Sequence, residues 1–110
     1  MNYTLVILSG PDSGQCHARA LAFGHALERR GHHLSRVFFF GQGVRVALDW
    51  DDGAAKSWQQ VASSANVELV LCSASAERYG VATNHENFVI AGLGSLMEAG
   101  FDSDRVLTFA

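Results

Sequence analysis

Tyr3-Thr4-Leu5-Val6-Ile7-Leu8-Ser9, then Gly10-Pro11, then residues 15–31 (QCHARALAFGHALERRG) decide the fold class. The first seven residues are an almost unbroken apolar run closed by a turn pair. That is the pattern of a strand buried on both faces of a parallel sheet. Over residues 14–30 the period changes. Ala20, Phe23, Gly24 and Leu27 recur at helical spacing, while Arg19, Glu28 and Arg29 fall off that stripe. Arg29 and Arg30 suit the negative end of a helix, and Gly31 supplies a left-handed stop. A buried strand running into an amphipathic helix is the repeating unit of an α/β domain.

The same alternation continues outward. Leu34 to Phe40 (LSRVFFF) reads as a second buried strand, closed by Gly41-Gln42-Gly43, with the three phenylalanines as core. Asp51 or Asp52 is suited to cap a helix marked by Ala54, Trp58, Val61, Ala62 and Ala65. Val67 to Leu71 is a third strand leading into Cys72, and a short helix follows over Ser73 to Tyr79, stopped by Gly80. Val81 is placed at the start of an edge segment, and Asn84-His85-Glu86-Asn87 reads as loop. Leu93, Leu96 and Met97 make the apolar stripe of a last helix ending at Gly100, and Arg105 to Phe109 is the final strand. The expected architecture is a three-layer α/β/α domain, residues 1–110, around a mainly parallel sheet of about five strands. Strand order is not encoded in such a pattern.

Composition narrows the function. A chain of 110 residues with 48% apolar content supports one packed core, and the single proline and lack of low-complexity tracts argue against a tail or linker. No apolar run reaches the roughly 18–20 residues of a membrane span, and Met1 to Thr4 lack a basic n-region, so the expected setting is the cytoplasm. Net charge is −3 and lysine occurs once, which disfavours direct nucleic-acid binding. Cys16 and Cys72 are too few for a disulfide framework and too far apart in sequence for a zinc knuckle. The five histidines show no ligand spacing, so no metal is expected. Gly10-Pro11-Asp12-Ser13-Gly14-Gln15 lacks the Gly-Lys-Ser/Thr ending of a phosphate loop, and Asp12 stands where the dinucleotide fingerprint needs its middle glycine.

In open α/β sheets the functional crevice lies beyond the carboxyl ends of the strands. Gly10 to Gln15, Gly41 to Gly43 and Cys72 to Ser75 end there. Cys72 combines a strand end with the start of a helix, where free backbone N–H groups favour an anionic sulfur. Ser73 and Ser75 can add hydrogen bonds to it. A cysteine at a strand end also serves as a small buried hydrophobe, and position alone does not separate the two uses. Cys16, in the first turn of the first helix, reads as a packing residue. His85 with Glu86 follows the Cys72 helix as a base or as a solvated loop residue.

Four stretches carry a resemblance. They are Ser9-Gly10-Pro11 with the alanine-rich helix ending at Gly31-His32; Arg36-Val37-Phe38-Phe39-Phe40 with Gly43-Val44; Trp58-Gln59-Gln60 leading to Val67 through Cys72, then Ala74, Ala76, Arg78 and Gly80; and Phe88-Val89-Ile90-Ala91-Gly92-Leu93-Gly94 with Asp104-Arg105-Val106-Leu107. In this order they resemble the DsrE/TusD family of small sulfur-relay proteins, most closely its TusD branch. The resemblance implies a flavodoxin-like fold and a sulfurtransferase subunit. It would accept sulfane sulfur as a persulfide on Cys72 and pass it to the next relay protein. By their positions Ser73, Ser75 and Arg78 are candidate stabilisers of that persulfide, with a surface or interface role as the alternative for Arg78. The resemblance also implies a hetero-oligomer with paralogous small subunits, donor and acceptor proteins as partners, and no cofactor. The sulfur would end in tRNA 2-thiouridine or in dissimilatory sulfur oxidation. A rival from another class is a non-catalytic subunit or small-anion-binding module. The chain is shorter than the family pattern after Phe40 and between Gly80 and Phe88, Tyr79 stands where a second arginine is common, and Cys16 has no counterpart.

Overall fold

Apolar strands and amphipathic helices alternate as the sequence pattern requires. The computed structural model describes residues 1–12, 14–48, 53–82 and 87–110. In these residues the order is β1 (Asn2–Ile7), α1 (Cys16–Arg29), β2 (His33–Phe39), a 3-10 helix (Gly41–Ala47), α2 (Gly53–Ala65), β3 (Glu68–Cys72), α3 (Ser73–Arg78), β4 (Phe88–Ala91), α4 (Leu93–Asp102) and β5 (Arg105–Phe109). All four strand pairings are parallel, in the order β4-β3-β2-β1-β5. This order differs from the 2-1-3-4-5 of flavodoxin itself, although the layering is the same.

Strand alternation assigns the two faces. Tyr3 meets Phe23 of α1 edge-on, Phe23 meets Phe109, and Phe39 meets Trp58 of α2 with ring centroids 5.5 Å apart. Leu5, Ile7, Val37, Leu69 and Leu71 share this face by register. The opposite face carries Thr4, Val6, Phe38, Val70 and Cys72. Thr4, although fully buried, is satisfied by a 2.6 Å hydrogen bond with Ser103 just beyond α4. Steps from β1 to β4 run one way across the sheet and the step to β5 runs back. Right-handed crossovers therefore put α1, α2 and α3 on one face and α4 on the other.

Several local expectations change. Gly41 to Gly43 is the first turn of a 3-10 helix rather than an isolated turn. The edge strand forms at Phe88–Ala91, not at Val81. Val81 is buried and donates its N–H to the Ala76 carbonyl, closing α3 beyond Gly80, whose φ of 69° is the expected left-handed stop. The last helix runs past Gly100 to Asp102, and Leu93 and Met97 are 53% and 68% exposed, so only Leu96 of the expected stripe packs inward. Burial on both faces holds for β1 to β3 at the centre, while β4 and β5 are edges with exposed side chains. Asp51, Asp52, His85 and Glu86 lie outside the described residues.

Candidate functional site

The apolar run of β3 ends at Cys72 because the chain turns directly into α3. Cys72 is the N-cap of that helix, with extended φ/ψ of −61° and 125°, and no side chain caps it. The first-turn N–H groups therefore stay available, and no acidic side chain stands in that turn to repel an anion. Cys72 pairs in register with Ala91 of β4. Ser73, exposed at the start of α3, has its Oγ 3.8 Å from where a side chain on Gly92 would begin. The carboxyl ends of β3 and β4 thus bring Cys72, Ser73 and Gly92, just ahead of α4, together.

Burial of Cys72 is one of the two uses the sequence left open, and burial of Cys16 matches its reading as a packing residue. Cys72 is only 1% exposed, and Cys16 is also buried. Both thiols are unpaired.

The other residues singled out above occupy different positions. Ser75 is buried, and its Oγ accepts the Gly41 N–H at 2.9 Å, tying α3 to the chain end of β2. That bond fixes the start of α3, and hence Cys72, against the neighbouring loop. Ser75→Ala leaves a part-buried N–H without its partner, and the expected cost is about 1–2 kcal/mol, read by chemical denaturation. Arg78 lies at the last turn of α3, about 9 Å of helical rise from Cys72. Its guanidinium sits 5.6 Å from the Tyr79 ring centroid. Structure therefore joins Cys72 with Ser73 and Ser75, and holds Arg78 at the far end.

The adjoining loops are firmly held. Arg45 makes two hydrogen bonds to the Asp12 carboxylate, at 3.1 and 3.0 Å, which hold that carboxyl below its usual range. Gly43 approaches the Ile7 carbonyl so closely that a Cβ would overlap the oxygen. These contacts went unread in the sequence because their partners are distant in the chain.

A sequence profile of the DsrE/DsrF-like family matches residues 1–109. The chain belongs to this family. A protein named sulfurtransferase TusD from Serratia proteamaculans is 36% identical, over 99% of this chain and 99% of its own. A sulfurtransferase TusD homolog from Vibrio cholerae is 36% identical, over 99% of this chain and 98% of its own. Each alignment spans 129 positions against the 110 residues of this chain, so these relatives carry segments it lacks. That agrees with the shortening read from the sequence. Among solved structures, the YchN protein of E. coli superimposes with a TM-score of 0.82 at 20% identity, covering 99% of this chain and 100% of its own. A protein from Methanobacterium thermoautotrophicum gives 0.80 at 13% identity, over 96% of this chain and 97% of its own. At such identities the superpositions establish the fold of this DsrE-family chain and nothing finer.

Proposed function

We propose that this chain is a sulfurtransferase subunit that carries sulfane sulfur on Cys72. The observation that carries the reading is the position of Cys72, at a strand's carboxyl end and a helix start, in a chain 36% identical over nearly its full length to proteins named sulfurtransferase. The Cys72 thiolate attacks the terminal sulfur of a donor persulfide. The donor S–S bond breaks, its thiolate leaves, and a new S–S bond forms on Cys72 with no net oxidation. In this reading the first-turn N–H groups of α3 and the Ser73 hydroxyl would stabilise the anionic sulfur, and Ser75, bonded to the Gly41 N–H, would position the helix. Arg78 would assist only by extending its side chain back along α3. A second thiolate, on the acceptor protein, then repeats the exchange.

Partners follow from the same reading. Paralogous small subunits would form the hetero-oligomer, and the exposed Val89, Ile90, Leu93 and Met97 at the β4 side offer an apolar surface for one of them. No described helix is long and apolar enough to cross a membrane, and two unpaired thiols suit a reducing cytoplasm. The onward destination is tRNA thiolation or sulfur oxidation, reached through the acceptor protein.

One observation favours a second reading, a non-catalytic subunit or anion-binding module: the near-complete burial of Cys72. The two separate in a relay assay with ³⁵S-cysteine, a cysteine desulfurase and an acceptor carrier. The sulfurtransferase reading expects label to reach the acceptor only when the chain is present. Label that reaches the acceptor equally well without the chain supports the second reading.

A further inference from the structure

His17 is a buried titratable residue outside the sulfur site, on the helical stripe of Ala20, Gly24 and Leu27. Its ring lies nearly parallel to Phe39, at 6.1 Å between centroids. Trp58 of α2 donates its indole N–H to Nδ1 at 3.0 Å. An indole nitrogen can only donate, so Nδ1 must be an unprotonated acceptor and the proton sits on Nε2. Nε2 then donates to the Ser9 carbonyl at 2.7 Å. One neutral imidazole thus joins the chain leaving β1, the first turn of α1 and the middle of α2.

A second proton has one place to go, Nδ1, where it would face the Trp58 N–H donor to donor. The surroundings offer an imidazolium no compensation. From the chain leaving β1 the ring meets the Ser9 carbonyl, from β2 Phe39, and from α2 Trp58. The charged side chains of the flanking described segments are engaged or exposed: Asp12 is bound by Arg45, and Arg19 and Lys56 lie in solvent. Burial accordingly pushes the His17 pKa below its ordinary value, with the Ser9 bond opposing that shift in part. A cavity of about 250 Å³, lined by Pro11, Gly14, His17, Ala54 and Ser57 among others, lies against the ring and gives water a place to enter once the Trp58 bond breaks.

We infer that His17 is an acid-sensitive latch: proton uptake on Nδ1 breaks the Trp58 bond and frees the β1–α1 turn from α2. The inference does not depend on the sulfur-transfer reading. Because the folded pKa lies below the unfolded one, the latch is fully closed above about pH 6.5 and weakens as pH falls below that. The other tie of the turn, Asp12 to Arg45, stays ionised through this window because its carboxyl is held low.

The test is amide hydrogen exchange over residues 9–16, corrected for intrinsic rate, from pH 7.5 to 4.5, in the intact protein and in His17→Gln. Glutamine can donate to Ser9 and accept from Trp58 but cannot take the proton. A rise of at least tenfold in the native protein, absent from the variant, is the expected result. An equal rise in both, or none in the native protein, overturns the latch. Should the variant fail to fold, ¹⁵N NMR of the native His17 imidazole and Trp58 indole decides. His17 should hold the neutral Nε2–H form at pH 7.5, and its protonation on acidification should coincide with loss of the hydrogen-bonded Trp58 N–H signal; a Trp58 signal unchanged while His17 protonates would overturn the inference.

Discussion

Replacing Cys72 with serine is expected to cut sulfur transfer through the chain by about 10³-fold, because a hydroxyl neither forms nor releases a persulfide. The fold should survive. Serine is close in size to cysteine, and burying its hydroxyl in place of the thiol costs about 1–2 kcal/mol, within the margin of a small domain. Cys16→Ser provides the contrast. Cys16 is buried at the start of α1 and belongs to the core cluster, so its replacement is expected to lower stability by a similar amount and leave transfer intact. Rates from the desulfurase-coupled relay, set beside thermal melts of each variant, separate lost chemistry from lost folding. Equal transfer by Cys72→Ser and the native protein would remove Cys72 from the mechanism.

Gly43→Ala should be the most damaging of the conservative glycine changes. The new methyl group would overlap the Ile7 carbonyl oxygen, which already accepts the Phe40 N–H at 2.9 Å and cannot move aside without losing that bond. A loss of about 3 kcal/mol is expected, on the order of a 10 °C fall in Tm. Gly94 is the control. It sits in α4 with nothing within 4 Å of a Cβ, so Gly94→Ala should be neutral or stabilise by up to about 1 kcal/mol. Similar Tm values for the two variants would mean that the 3-10 segment does not press on β1 as described.

What the sequence made legible follows the range of the interactions. β1, α1, β2, β3, α3 and β5 were readable because period, turn residues and terminal glycines are local signals. The Gly31 stop has the expected left-handed φ of 79°. The 3-10 helix was not readable, since Val44 and Val46 alternate like a strand while its conformation answers to Ile7 and Asp12, far back in the chain. β4 was missed because its four residues gain strand character only from pairing beside β3, and two of them, Val89 and Ile90, stay exposed. Of the candidate site, the place of Cys72 at a strand end and helix start was legible; whether it is buried was left open, since that depends on what packs around it. His17 lay on the visible helical stripe, yet its role needed Trp58, 41 residues away.

The most direct measurement is mass spectrometry of the native chain after incubation with a cysteine desulfurase and cysteine, without reductant. A gain of about 32 Da, one sulfur atom, mapped to the peptide containing Cys72, is the predicted result. An unmodified Cys72 peptide, under conditions where the desulfurase loads a known carrier with the same gain, would contradict a sulfur-carrying Cys72.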